Sequence, residues 1–406
     1  MPETEPLIIV GASTRAAAQS AVASGFVPWC VDQFGDADLR ECAQFVRVVS
    51  NWPDGIPAAL ADVPNAPLVY AGALENSPEL IDTLATQFPL CGNGSHALRL
   101  VRDPFWIQKQ LRHAGLPALE VRSKFTSDDF STRWLAKPLR SAAGFHIRAA
   151  ELDAPASTGQ IFQQFAAGDS VSALFVASQS SVCLLGLCRQ LHGEPDAGAT
   201  GYLHCGSIGP LGAADVFPGC FALAEQIGQT IAAGAGLVGL FGIDFILDQN
   251  GATLWTLEVN PRWPASAELF ERAYSWPLMR WHVQSAISQP SQPEWSTPTR
   301  ARAAESDEQR TGSTWGRIIV YAPQPVHMHD LRQLAATLTD SCVDIADVPA
   351  EGSTINTGHP VCTLLTRAGS VEECRDKLCR AARQLRKRLP RIDSANRTVS
   401  DRAHPR

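Results

Sequence analysis

Residues 241–262 restrict what this chain can fold into more than any other stretch. Phe241-Gly-Ile-Asp-Phe-Ile-Leu runs into a turn and returns as Leu257-Glu-Val-Asn-Pro-Arg262, which reads as two antiparallel strands. They carry Asp244, Glu258, Asn260 and Arg262 through apolar surroundings. Alternation places Thr256, Glu258 and Asn260 on one face and Trp255, Leu257 and Val259 on the other. A two-residue Asn250-Gly251 turn pairs Asp244 with Leu257, on the wrong face. A three-residue loop, Gln249-Asn250-Gly251, pairs Asp244 with Thr256 and gathers the oxygen ligands, so this is the expected register. Pro261 ends the strand and Arg262 follows as a planar fork suited to phosphate. Oxygen ligands on a rigid hairpin beside an arginine are what Mg²⁺-bound phosphate requires.

The remainder of the chain decides whether such a hairpin is an ordinary one with a solvated face. At 406 residues it accommodates two or three domains, and 45% apolar with 18% charged residues is a globular composition. A net charge of −7 argues against a general nucleic-acid footprint, so no nucleic-acid partner is expected, and an anionic nucleotide needs locally placed cations. No segment has the length and purity of a membrane span, and Met-Pro-Glu-Thr-Glu-Pro lacks a basic n-region, so no membrane partner is expected. Eleven scattered cysteines contain no Cys-x-x-Cys pair. Reduced thiols in the cytoplasm are the economical expectation.

Leu7-Ile-Ile-Val-Gly-Ala-Ser-Thr14, an alanine-rich helix from Arg15 to Ser24, and Phe26-Val-Pro-Trp-Cys-Val-Asp32 form a βαβ opening. The Gly-x-Gly-x-x-Gly fingerprint is absent, which excludes nicotinamide binding as the working expectation. Arg15 and Asp32 either cap local elements or touch an acceptor substrate, and the sequence leaves both open. Asp103 to Gly115 reads as a helix with Pro104 in its first turn. Trp134-Leu-Ala-Lys-Pro-Leu-Arg-Ser-Ala-Ala-Gly-Phe-His-Ile-Arg148 delivers Lys137 on a strand beside a loop of small residues containing Gly144. An ammonium there can bind phosphate while backbone N–H groups cover a nucleotide. About thirty residues on, Gln160-Ile-Phe-Gln-Gln-Phe-Ala-Ala-Gly-Asp-Ser-Val-Ser-Ala-Leu-Phe-Val176 follows.

Together these motifs resemble the ATP-grasp superfamily, and within it a subgroup of predicted ATP-dependent carboligases, or carboxylate–amine ligases. The Gly11-Ala-Ser-Thr-Arg-Ala-Ala-Ala-Gln-Ser20 stretch and Asp32-Gln-Phe-Gly-Asp-Ala-Asp38 carry the subgroup likeness. The resemblance implies an α/β and α+β multidomain fold of biotin-carboxylase-like architecture. A Rossmann-like domain (1–98) would precede a two-lobed ATP-grasp domain (99–287), a linker (288–314), a small β-rich cap (315–390) and a tail (391–406). It implies ATP and Mg²⁺ (or Mn²⁺) as cofactors, with Asp244, Glu258 and Asn260 as metal ligands. Lys137 and Gly144 would serve the phosphates, and Arg262 the γ-phosphate or an incipient acyl phosphate. The backbone of Gln163, Gln164 and Phe165 would read adenine, and the Asp169 carboxylate would hold ribose. The chain departs from the family at Asp103-Pro104, where relatives commonly carry Asp-Lys. Arg102, Arg99 and Lys109 are the candidate replacements.

The chemistry implied is ATP-dependent activation of a carboxylate for attack by an amine or thiol. Tetrahydromethanopterin- or methanofuran-linked one-carbon metabolism is the implied setting, small-molecule carboxylate and amine the partners, and a homodimer is left open. The alternatives are a bicarbonate-using carboxylase and a non-catalytic ATP-binding regulator. His204 and Cys205 invite a catalytic reading, which is set aside because no third partner is visible.

Overall fold

A computed structural model describes residues 5–125, 133–140, 143–150, 159–287, 295, 314–338 and 342–390. Ser141 and Ala142 of the small-residue loop, the tail 391–406 and all of the linker 288–313 except Trp295 lie outside the described residues.

The first unit is a parallel four-stranded sheet in the order β3-β2-β1-β4, from β1 (Glu5–Gly11), β2 (Phe26–Asp32), β3 (Phe45–Val48) and β4 (Leu68–Tyr70). Its central strand reads Leu-Ile-Ile-Val because both faces are covered: Leu7 and Ile9 join one apolar cluster, Ile8 and Val10 another. Helix α1 (Arg15–Ala23) returns the chain from β1 to β2.

A small antiparallel sheet, β5-β8-β6-β7, is built from β5 (Val121–Arg122), β6 (Trp134–Pro138), β7 (Arg148–Ala149) and β8 (Gln160–Gln164). Beside it runs an eight-stranded sheet, β13-β12-β9-β10-β11-β14-β18-β16. Its members are β9 (Asp169–Ala177), β10 (Val182–His192), β11 (His204–Gly209), β12 (Gly239–Asp248), β13 (Thr253–Asn260), β14 (Thr314–Tyr321), β16 (Val343–Ala346) and β18 (Pro360–Ala368), while β15 (Val326–His327) and β17 (Thr354–Ile355) pair with each other. The C-terminal strands thus continue the central sheet through the β11–β14 pairing. Backbone hydrogen bonds join that unit to the rest, beyond any contact of surfaces. The sixteen-residue helix Cys220–Ala235 lies over this sheet. Gly228 on it allows close approach, since a Cβ there would meet Phe175 Cε1 at 2.2 Å. Phe175 in turn stacks on Phe241, centroids 4.9 Å apart. No helix of the described residues is long and apolar enough to cross a membrane.

Three units meet at a buried ion cluster. Arg15 is 1% exposed and donates twice to Glu268 (2.6 and 3.1 Å) and once to Asp347 Oδ1 (2.9 Å). Asp38 accepts the N–H groups of Asp347 and Val348 at 2.9 Å each, and Arg317 lies 3.8 Å from both Glu268 and Asp347. Asp32 accepts from the Thr14 N–H and hydroxyl and from the N–H groups of Phe34 and Gly35. Of the two roles left open by the sequence, Arg15 and Asp32 therefore take the structural one.

The hairpin corrects the expected register. Near the turn Phe245 faces Thr256, Ile246 faces Trp255 and Asp248 faces Thr253, the very pairing that would leave Asp244 opposite Leu257. The pairing shifts between Asp244 and Phe245, so Leu257 is the extra residue of a bulge and Asp244 stands opposite Glu258. Thr256 consequently turns into the core with Phe245, and Val259 takes the core side beyond the bulge. The oxygen ligands share a face through the bulge, not through the loop length that the sequence favoured.

Candidate nucleotide and metal site

A cleft of about 370 Å³ opens between the small sheet and the large one. At its floor Asp244 and Glu258 are directly opposed across β12 and β13. Asn260 Nδ2 donates to Asp244 Oδ2 (2.9 Å) and Gln190 Nε2 to Asp244 Oδ1 (3.0 Å), while the Ser170 hydroxyl holds Gln190 at 2.8 Å. Burial and the facing charge of Glu258 push the Asp244 carboxyl well above its ordinary range, against the hydrogen bonds of Ser172 and Asn260. Burial also works to raise Glu258, but the charges of Arg102, Lys137 and Arg262 outweigh it and hold that carboxylate low. The pair therefore releases its last proton late, the expected state of two carboxylates waiting for a cation.

Lys137 extends from β6 into the cleft and donates to Gln163 Oε1 at 3.0 Å. Burial pulls its ammonium below the ordinary lysine range, while Glu258 and Asp244 pull it back. Arg102, at the end of helix Ser95–Val101, lines the cleft and approaches Glu258 Oε2 at 3.5 Å. Arg99 is spent on the surface, against Glu79 and Asp82. Among the three candidate replacements for the missing lysine, Arg102 is thus the one that lines the cleft. Pro104 serves the helix start instead: Asp103 before it accepts from the Phe105 N–H at 2.9 Å. Arg262 stands behind the Asp244–Glu258 face, its Nε on Glu75 Oε1 (3.1 Å) and an Nη on Asn260 Oδ1 (3.3 Å).

Gly144 lines the cleft with φ +77°, and a Cβ there would strike the Tyr202 carbonyl at 2.1 Å. The His204 N–H donates to the Ala143 carbonyl (2.9 Å), so the loop is laid against the turn before β11. His192 also lines the cleft, and its ring meets that of His204 edge-on at 5.3 Å. Burial first, and then His192, depress the His204 imidazole to about 3, so it stays neutral. Cys205 is buried in the core.

One expected role is narrowed and another is displaced. The Gln164 and Phe165 N–H groups already donate to the Glu120 and Arg133 carbonyls, at 2.9 and 2.8 Å, and Gln163 sits mid-strand between β5 and β6. Those two N–H groups are committed to the sheet, and the Gln163 side chain meets Lys137 within the cleft. Gln163, Gln164 and Phe165 line the cleft, and so does the chain beyond the strand at Ala166 and Gly168. Asp169 faces away. On β9 the cleft side belongs to Ser170 and Ser172, so period two sends Asp169 and Val171 to the opposite face. There Asp169 meets Arg189 at 3.5 Å. Gln190 was missed altogether; its only signal was a polar residue inside the apolar run Val182–His192.

Among the described residues no three His, Cys, Asp or Glu are grouped so that they could hold a metal ion, so a cage made of protein alone is absent there. Two carboxylates with an amide oxygen nearby fit a hydrated Mg²⁺ that takes further oxygens from phosphate. Three cations around two carboxylates leave room for those phosphates.

Residues 101–266 match the family model of the ATP-grasp domain. The chain carries an ATP-grasp domain. The cleft just described lies within it, with the parallel sheet before and the continuing strands after. Solved structures extend the likeness to the whole architecture. N5-carboxyaminoimidazole ribonucleotide synthetase from Thermus thermophilus superposes with a TM-score of 0.65 at 16% identity, over 95% of this chain and 100% of that one. The biotin carboxylase domain of Hydrogenobacter thermophilus 2-oxoglutarate carboxylase, a dimer in complex with MgADP, ADP and bicarbonate, gives 0.66 at 12%, over 91% and 88%. N5-carboxyaminoimidazole synthetase from Staphylococcus aureus complexed with ADP gives 0.66 at 14%, over 93% and 97%. At such identities the likeness establishes the fold: a biotin-carboxylase-like ATP-grasp architecture. No curated protein matches the sequence.

Proposed function

We propose that the protein is an ATP- and Mg²⁺-dependent ligase that activates a carboxylate as its acyl phosphate for capture by an amine (or thiol). The observation that carries this reading is the bulged hairpin, which sets Asp244 opposite Glu258 at the floor of a cleft entered by Lys137 and Arg102. Asp244, Glu258 and Asn260 would hold Mg²⁺, Asn260 also orienting Asp244; the ion would supply charge that phosphate oxygens share. Lys137 and Arg102 neutralise the phosphates, and Arg262 steadies the charge that develops as the terminal phosphoryl moves. Ile107, Leu135, Ile161, Ile246 and Leu257 give the other end of the cleft apolar walls for a flat base, and the backbone from Gln163 through Ala166 would read its edge. A carboxylate oxygen attacks the γ-phosphorus and ADP leaves. The amine nitrogen then attacks the acyl carbon, phosphate departs and the nitrogen loses a proton. The protein aligns and neutralises; it supplies no nucleophile.

A second reading takes bicarbonate as the carboxylate. The near-complete likeness to a carboxyaminoimidazole synthetase, and to a carboxylase domain whose structure contains bicarbonate, supports it. That same dimeric structure motivates a homodimer here. The test is Mg²⁺-dependent ADP release by wild type and Glu258→Ala, with bicarbonate and with a panel of amino acids, polyamines, tyramine and pterin precursors. The pterin and tyramine arms probe a place in one-carbon cofactor synthesis. ADP release with one carboxylate–amine pair, lost in the variant, supports the ligase. Release that requires bicarbonate supports the second reading, and nucleotide binding without turnover on any pair supports a regulator.

A further inference from the structure

The turn after β4 belongs to the first unit, yet it grips the cations of the nucleotide site. Ala73 takes φ 81°, a left-handed conformation that a residue with a Cβ adopts at a cost, and throws the short turn Leu74–Asn76 toward the hairpin. Two consecutive side chains of that turn then hold two arginines. Glu75 Oε1 accepts from Arg262 Nε at 3.1 Å, and Asn76 Oδ1 accepts from Arg102 Nη2 at 3.1 Å. Glu75 is 3% exposed, and its second oxygen is buried without a hydrogen-bond partner. The Arg262 guanidinium also lies over Gly72, where a Cβ would sit 3.8 Å from Cζ. With its Nη groups on Asn260 Oδ1 and the Trp263 carbonyl, Arg262 is fixed through all three nitrogens while two of its five N–H donors are left for a phosphate. Arg102, for its part, leans on Glu258.

From this we infer that Glu75 and Asn76 form a positioning clamp that fixes Arg262 and Arg102 for the terminal phosphoryl group. The clamp rests on the ATP-dependent reading above. It makes the first unit part of the triphosphate-recognition machinery, in addition to whatever acceptor that unit binds. A buried carboxylate with one idle oxygen is costly as mere scaffolding. An arginine held on its inner edges loses little entropy when a phosphate arrives.

The experiment compares Mg²⁺-dependent binding of ADP and of the non-hydrolysable triphosphate AMP-PNP, by calorimetry, in wild type, Glu75→Gln, Glu75→Asp and Asn76→Ala. The expected result is tighter wild-type binding of the triphosphate. Glu75→Gln should cut that preference about tenfold, the scale of one charge-assisted hydrogen bond. ADP affinity should hold within about twofold, and Glu75→Asp should restore part of the preference. Asn76→Ala, on the half-buried Arg102 arm, should erode the preference in the same direction and keeps the test alive if the Glu75 variants fail to fold. A wild type that binds neither nucleotide overturns the ATP-dependent reading and the clamp with it. A wild type that binds both without preference, or variants that keep the wild-type ratio, overturn the clamp alone.

Discussion

Replacing Arg15 with methionine removes a cation that touches the first unit, the hairpin unit and the C-terminal strands together. The side chain is 1% exposed, and Glu268, Asp38 and Asp347 beside it are 7%, 9% and 18% exposed. Three hydrogen bonds to charge are lost, at 2.6, 3.1 and 2.9 Å. Taken singly each is worth ~1.5–3 kcal/mol, but they share one guanidinium and do not add. The governing cost is the burial of carboxylates whose charged partners are then Arg317 and Arg272, about 3–5 kcal/mol for a broken buried network. Arg15 and Arg317 now hold Asp347 down to about 2 despite its burial. In the variant that carboxyl moves upward, so the destabilisation should shrink in acid as the stranded carboxylates take up protons. Urea unfolding of Arg15→Met and wild type at pH 5 and pH 8, followed by tryptophan fluorescence, measures both effects. A loss under about 1 kcal/mol at pH 8, or a loss that grows in acid, would refute the reasoning.

Other consequences are more local. Mg²⁺ affinity of the nucleotide complex should fall as pH drops through the raised titration of Asp244, because the ion competes with its proton; Glu258→Gln removes the opposing charge and should move that fall to lower pH while weakening Mg²⁺ overall, both read by calorimetry. Glu271, pushed up to about 8 by burial, with the nearby charge of Glu268 adding, keeps its proton when folded and gives it up near 4.5 when unfolded. Its contribution is present in acid and is lost as pH rises to about 8, so Glu271→Gln should gain on wild type between pH 5 and 8.5. The gain should be ~1–3 kcal/mol after discounting for partial exposure, read as a difference in melting temperature. Gly228→Ala should be destabilising by up to ~2 kcal/mol in urea unfolding: helix propensity favours alanine by ~1 kcal/mol, but a methyl 2.2 Å from Phe175 overpacks a filled core at ~1–3 kcal/mol. A stabilised Gly228→Ala variant would mean that the Cys220–Ala235 helix can lift from the sheet.

The sequence alone determined what local rules govern. Apolar runs of the right length made β1 and β2, Pro104 after Asp103 made a capped helix, and Pro261 closed β13 at Asn260. Residue type was enough to single out Asp244 and Glu258, because carboxylates inside an apolar hairpin need a cation to justify their burial. Tertiary structure decided which side chains face one another. A single bulge at Leu257 reset the period-two alternation and brought Asp244 opposite Glu258. The strand phase that aims Ser170 and Ser172 at the cleft turns Asp169 away from it. Gln190, Glu75 and Asn76 reach the site from elements distant in sequence, and the choice of Arg102 over Arg99 depended on where one helix ends. Period and propensity act over a few residues, whereas a site is assembled by packing across the chain; one inserted residue or one rotated strand redirects every side chain beyond it.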